Sequence, residues 1–139
     1  MLFRSTSLEA SAILHASGMA AITTLLMSTL SQGDKILSHF SLYGGTDELV
    51  HRILPRFGVS AVIEDLRDLE KAETALRNDK SIKMVYLETP ANPTIQCVDI
   101  AALSALAKKY NCIVACDNTF ATPFLQQPFT LGEIGRAHV

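Results

Sequence analysis

Strand-like and helix-like patterns alternate along the whole 139-residue chain, and this alternation constrains its fold more than any other feature. "KILS", "VSAVIE", "KMVYLE" and "CIVACD" read as short strands. Cys112 to Cys116 shows no polar–apolar alternation, which marks a strand covered on both faces. The segments between have helical spacing. "SGMAAITTLLMSTLSQGD" carries Ser17 as an N-cap and Gly33 as the residue after the C-terminus. "GGTDELVHRILPRFG" places Leu49, Val50, Ile53 and Leu54 on one side and ends at Pro55 and Gly58. "DLRDLEKAETALRND" has a stripe of Leu66, Leu69, Ala72 and Leu76, and "DIAALSALAKKYN" starts from Asp99 as N-cap. Alternation of this kind predicts an α/β fold, a parallel sheet with helices on its faces.

In such a sheet the loops leaving the strand C-termini share one edge, where ligands bind. Those loops are "HFSLYGG", "EDLRD", "ETPANPT" and "DNTFATP". Asp117 ends the last apolar run and is followed at once by Asn118 and Thr119. This is either a turn-forming pair or a carboxylate presented at the ligand edge. Ser17-Gly18 before a helix is either an ordinary cap or a phosphate site built from free N–H groups. Tyr43 beside two glycines is either a core tyrosine or an aromatic that stacks on a planar ligand. Asn92 sits between prolines that fix its backbone.

Bulk properties remove several function classes. A net charge of −2 with no basic run leaves no nucleic-acid footprint. Three cysteines without Cys-x-x-Cys spacing point to a reducing, cytoplasmic setting and free core thiols, with no metal site. His15, His39 and His51 have no metal-ligand spacing. The longest apolar helix is interrupted by Thr23, Thr24, Ser28 and Thr29, so no membrane span is expected. The amino end lacks the apolar core and cleavage site of a secretory signal. Charged residues make up only 19% of the chain, below the usual share of about 25%, so apolar surface is left for a partner to cover. Gly-x-Gly-x-x-Gly and P-loop motifs are absent, as is the acidic pair that a phosphoacceptor domain needs after its first strand.

"ASGMAAI", "LYGGT", "ETPANPT" and "DNTFATPFLQQPFTLG", in that order, resemble the pyridoxal-phosphate (PLP) enzymes of cysteine and methionine metabolism. That trans-sulfuration family includes cystathionine γ-synthases and lyases, methionine γ-lyases and O-acetylhomoserine sulfhydrylases. The resemblance covers about Ala16 to Gly132. It implies the sheet core of a fold-type I PLP-dependent transferase large domain, incomplete here, with pyridoxal 5′-phosphate as cofactor and an amino acid as substrate. The implied chemistry is β- or γ-elimination, or γ-replacement, on sulfur amino acids or homoserine esters; the alternative is a non-catalytic fragment or a binding module without PLP chemistry. By resemblance, Asp117 pairs with the ring nitrogen and the amides of Gly18 and Met19 hold the phosphate. Tyr43 stacks on the ring and helps move protons, Asn92 lies near the phenolic oxygen, and Thr119 lies by the other ring edge. The full-length form is implied to be a homotetramer built from dimers.

The family's Schiff-base lysine has no counterpart: Lys35, Lys71, Lys80, Lys83, Lys108 and Lys109 fit no such motif. Residues 1–132 therefore read as a partial PLP-binding large domain, inactive alone and poorly soluble. "EIGRAHV", residues 133–139, reads as a foreign tail resembling a translated sequencing adapter, with no strand expected in it. Only 17 residues precede Gly18, and the family's upstream Tyr and Arg motif is not among them. Glu48 stands where several cystathionine-handling members carry arginine, and Gly45 where many methionine γ-lyases carry cysteine. The substrate stays open.

Overall fold

The structure, a computed structural model, describes residues 13–132 and 135–137. Its centre is a five-stranded, fully parallel sheet in the order β2-β1-β3-β4-β5. The strands are β1 (Lys35–Ser38), β2 (Ser60–Ile63), β3 (Ile82–Glu88), β4 (Ile113–Asp117) and β5 (Gly135–Ala137). The helices are α1 (Gly18–Thr29), α2 (Gly44–Glu48), α3 (Leu69–Asn78), α4 (Ile100–Lys109) and the short α5 (Thr122–Leu125).

Side-chain alternation sorts the core into two layers. Leu37, Val85, Leu87, Val114 and Cys116 point to one face, under Ala72 and Leu76 of α3 and Ile100, Leu103 and Ala107 of α4. Ile36, Met84, Tyr86 and Ala115 point to the other, under Ile22 and Leu26 of α1 and Leu49, Val50 and Leu54 beyond α2. The chain runs outward from β1 to β2, crosses back to β3, and continues to β4. Its direction of travel therefore reverses between β1 and β3, the switch point outside which open α/β sheets form their ligand crevice.

The caps follow the expected chemistry. Ser17 Oγ accepts from Ala20 N, Asp68 from Glu70 and Lys71 N, and Asp99 from Ala102 N. Several expectations need correction. Gly33 does not close α1: Leu30 is the C-cap, and Gly33, at φ +95°, serves the turn that starts β1. The second helical segment does not stop at Pro55. After α2 it widens into a π turn (Leu49–Ile53) and tightens into a 3₁₀ turn (Leu54–Phe57), which accepts Pro55 because its N–H is not needed in the first turn; Gly58 then closes it in the left-handed region. Ile53, at the junction of the two windings, is turned outward and exposed. Leu66 is buried but precedes α3, which begins at Leu69; Leu69 lines an open groove toward Ala102 and Leu106 of α4 and is exposed. The tail also contains a strand. Residues 135–137 pair in parallel with Ala115–Asp117, whose outer backbone groups would otherwise lack partners.

Candidate functional site

Strand register sets one of the sequence-marked residues, Asp117. β3 and β4 run side by side so that Tyr86 faces Ala115 and Glu88 faces Asp117 across the ladder. Since Tyr86 and Ala115 belong to the α1 layer, Glu88 and Asp117, two residues further on, rise on that same face at the C-terminal edge. Asp117 is buried. Its Oδ1 accepts from both the amide and the hydroxyl of Thr119, while Oδ2 takes no hydrogen bond from a described residue. The Asp-Asn-Thr turn is therefore real, and it also aims a carboxylate. Asn118 is spent on structure, donating to Thr89 O and Gln126 Oε1.

The start of α1 opens onto this face. Ser17 Oγ occupies the Ala20 amide, and Ala21 N bonds Ser17 O. The amides of Gly18 and Met19 have no acceptor among the described residues, at the positive end of a 12-residue helix. Tyr43 is half exposed and no core tyrosine. Its ring leans on Gly45, where a Cβ would come 2.9 Å from both Tyr43 Cε1 and Met19 Sδ. The absent side chain thus leaves room for the tyrosine ring and Met19 to meet.

Glu88 joins these parts and was overlooked in the sequence, although it opens "ETPANPT". It is 5% exposed. Oε2 accepts from Tyr43 N at 2.7 Å and Oε1 from Asn92 N at 2.8 Å. Burial pushes its carboxyl above the usual glutamate range, the two amides pull it back, and the charge on Asp117 pushes it up again. Further bonds join the same two loops, after β1 and after β3. Ser41 meets Thr94 at 2.9 Å. His39, fully buried, lies between Gln96 Oε1 at 3.0 Å and the Leu66 amide at 3.3 Å. Tyr86 was also missed. Its hydroxyl is buried and makes no hydrogen bond of good geometry among the described residues; burial, then the charges of Asp117 and Glu88, hold the phenol well above its ordinary value, opposed by the neighbouring Thr46 side chain.

An acid with a free oxygen, two unclaimed amides at a helix start, and an exposed ring beside them fit a flat, phosphorylated, nitrogen-containing ligand. The family model of the Cys/Met metabolism PLP-dependent enzymes matches residues 6–134. The chain belongs to this family. Its cofactor is pyridoxal phosphate, and the residues present suit it. An L-methionine gamma-lyase of Fusobacterium nucleatum is 44% identical over 121 residues, covering 86% of this chain and 30% of that protein. A cystathionine beta-lyase of Bacillus subtilis is 43% identical, covering 84% of this chain and 29% of the relative. Among solved structures, a cystathionine gamma-lyase from Lactobacillus plantarum, complexed with L-serine, superposes with a TM-score of 0.84 at 41% identity over 88% of this chain and 32% of its own. The chain thus spans about a third of the length of these relatives. Enzymes of different activities match it almost equally, so the segment carries the family and not the substrate.

Cys112 and Cys116 are buried in the α3/α4 layer, and Cys97 is exposed. Among the described residues no helix is long and apolar enough to cross a membrane.

Proposed function

We propose that this segment supplies much of the cofactor cleft of an enzyme that eliminates at, or replaces a group on, the β or γ carbon of sulfur amino acids or homoserine esters. The observation that supports the reading is that the Asp117 carboxylate rises on the sheet face that α1 covers, the helix whose Gly18 and Met19 amides are unclaimed among the described residues. When bound, pyridoxal phosphate supplies an electron sink for the pair left on the α carbon of an amino acid. Asp117 holds a proton on the ring nitrogen, and Thr119 fixes the carboxylate by occupying Oδ1. The Gly18 and Met19 amides and the positive end of α1 bind the phosphate. Tyr43 covers the ring and excludes water from it, and Asn92 reaches the phenolic oxygen.

Residues 1–132 serve here as part of the large cofactor-binding domain. The 139 residues alone bind without turning over, because no lysine among the described residues reaches this edge. Lys35 starts β1 and pairs with Asp79. Lys80 and Lys83 lie at the start of β3, Lys108 and Lys109 at the end of α4, and Lys71 on α3 under the opposite face. The full-length protein is cytoplasmic and assembles as a homotetramer built from dimers; exposed Phe120, Phe124, Leu125 and Phe129 after β4 support association.

Gly18→Val, introduced into the full-length protein that carries this segment, tests the phosphate assignment. A branched side chain there stands between the phosphate and the amides. PLP affinity, followed by the cofactor's absorbance and fluorescence, should fall by roughly tenfold or more, with near-normal circular dichroism. Unchanged affinity would reduce Ser17-Gly18 to an ordinary helix cap.

A further inference from the structure

We infer that Glu88 is a positioning residue whose ionised carboxylate holds the loops bearing Tyr43 and Asn92 at a fixed separation across the crevice between β1 and β3. The loop after β1 leaves toward β2 and the loop after β3 toward β4, so nothing in the sheet ladder fixes one against the other. Glu88 spans the gap with one oxygen to each backbone, at 2.7 and 2.8 Å. Both amides need this acceptor. Tyr43 N lies just before α2, and Asn92 N lies in a loop where Pro90 and Pro93 offer no N–H.

The choice of residue follows from the inventory of groups. Two N–H donors converge on one buried side chain, and only a carboxylate presents two acceptors and no donor. Glutamine has the same shape but would aim an NH2 at one of the two amides. Glutamate is retained here despite an unfavourable setting: it is buried and in register with the like charge of Asp117. The ionisable groups facing it are Asp117 from β4, the Tyr86 phenol from its own strand, and Tyr43 from the β1 loop. α1 has no ionisable side chain, and the lysines lie elsewhere. With no cation among the described residues beside it, the two amides are what holds the charge in place.

The consequence for the cofactor rests on the proposed function; the clamp itself does not. The test compares the full-length protein with Glu88→Gln and Glu88→Asp by hydrogen–deuterium exchange resolved to the Tyr43 and Asn92 amides, beside PLP affinity. In Glu88→Gln one of the two amides should exchange roughly tenfold faster or more, the loss of one charge-assisted bond. Glu88→Asp keeps the charge but is one methylene short and should release one loop while protecting the other. In the unaltered protein, protection, corrected for intrinsic exchange, should fall as pH drops through a value above that of an ordinary glutamate. Glu88→Gln should lack this step. Faster exchange with unaltered PLP affinity would uphold the clamp and overturn the cofactor assignment of the loops. Unchanged exchange in Glu88→Gln, with or without a change in affinity, would overturn the clamp. Should Glu88→Gln fail to fold, the pH series on the unaltered protein decides alone: a step upholds the clamp and a flat profile overturns it.

Discussion

The two faces of the sheet are built to different rules. Under α3 and α4 the layer from Leu37 to Cys116 is apolar but for the buried Ser104 hydroxyl of α4, and charge is kept at the rim: Glu73 with Lys109, Asp79 with Lys35, and Asp65 with Arg67. Under α1 and α2 the layer contains two buried acids side by side, a π turn and, among the described residues, a buried phenol without a well-made hydrogen bond and two uncapped amides. Local preference and global packing agree on the first face and conflict on the second. Chains place such conflicts where a ligand resolves them, and here they converge on one edge of one face. The difference separates the residues that make the fold from those that make the site.

The comparison breaks most sharply at Asp117. In the full-length protein, Asp117→Asn keeps the shape and removes the charge proposed to hold a proton on the ring nitrogen. Turnover should fall by orders of magnitude, each tenfold worth about 1.4 kcal/mol, while the melting temperature changes little. Near-normal turnover would mean that the acid is only a turn residue.

On the other face the expected losses are of the opposite kind. Leu103→Ala in α4 removes a side chain only 1% exposed. It should cost about 2–5 kcal/mol of stability in a denaturant titration and leave PLP affinity of the folded protein unaltered. A loss of affinity as large as that of Gly18→Val would show that the two faces are not separable.

pH acts on the two faces with opposite sign. Glu73, Asp79 and Asp65 are held below their ordinary values, first by Lys109, Lys35 and Arg67 respectively. Their contribution is present above the unfolded values of 4.5 and 3.8 and is lost as pH falls through the depressed ones. Glu88 is held above 4.5, so its native form binds the proton more tightly than the unfolded chain. Its ionisation therefore lowers stability as pH rises from 4.5 through the raised value. Melting temperatures of the cofactor-free protein across this range should show both limbs. Glu88→Gln should remove the decline on the alkaline side and leave the acid limb alone. A Glu88→Gln profile that keeps the decline would place the responsible group elsewhere.

The well-behaved face was readable in the sequence for the same reason that it is stable. Asp99 and the Cys112–Cys116 run each obey a local rule and the structure uses them as those rules demand, while of the stripe Leu66, Leu69, Ala72 and Leu76 only Ala72 and Leu76 pack from α3. Asp117, Gly18, Met19, Tyr43, Asn92 and Thr119 were marked by motif; the structure joins Thr119 to Asp117 and ties the Tyr43 and Asn92 backbones to Glu88, and their roles toward a cofactor stand as the proposal above. Glu88 and Tyr86 escaped because a strand gives no local hint that its last polar residues turn inward; that depends on which face the neighbouring helices cover. The π turn escaped because Leu49, Val50 and Ile53 suit α-helical spacing equally well, and the winding is set by packing against β2 and α1. Ile95, at φ +55°, breaks a backbone preference that no pattern of apolar residues records.

The smallest difference between the faces lies in two helix caps of the same design. Asp99 accepts from Ala102 N at 2.9 Å to start α4, and Ser17 accepts from Ala20 N at 3.1 Å to start α1. Replacing either by alanine removes one bond to the first turn and should cost about 1 kcal/mol of stability. The effect on the cofactor depends on the face. Without Asp99 the Ala102 amide is left to water, and PLP affinity has no reason to change. Without Ser17 the Ala20 amide joins those of Gly18 and Met19 at the positive end of α1, so the proposed phosphate site gains a donor as the helix loses a cap. Ser17→Ala should therefore lower the melting temperature about as much as Asp99→Ala, yet hold PLP at least as tightly as the unaltered protein. If Ser17→Ala weakens PLP instead, the serine hydroxyl is itself a ligand of the phosphate. The boundary between fold and site would then run through the cap and not one residue beyond it.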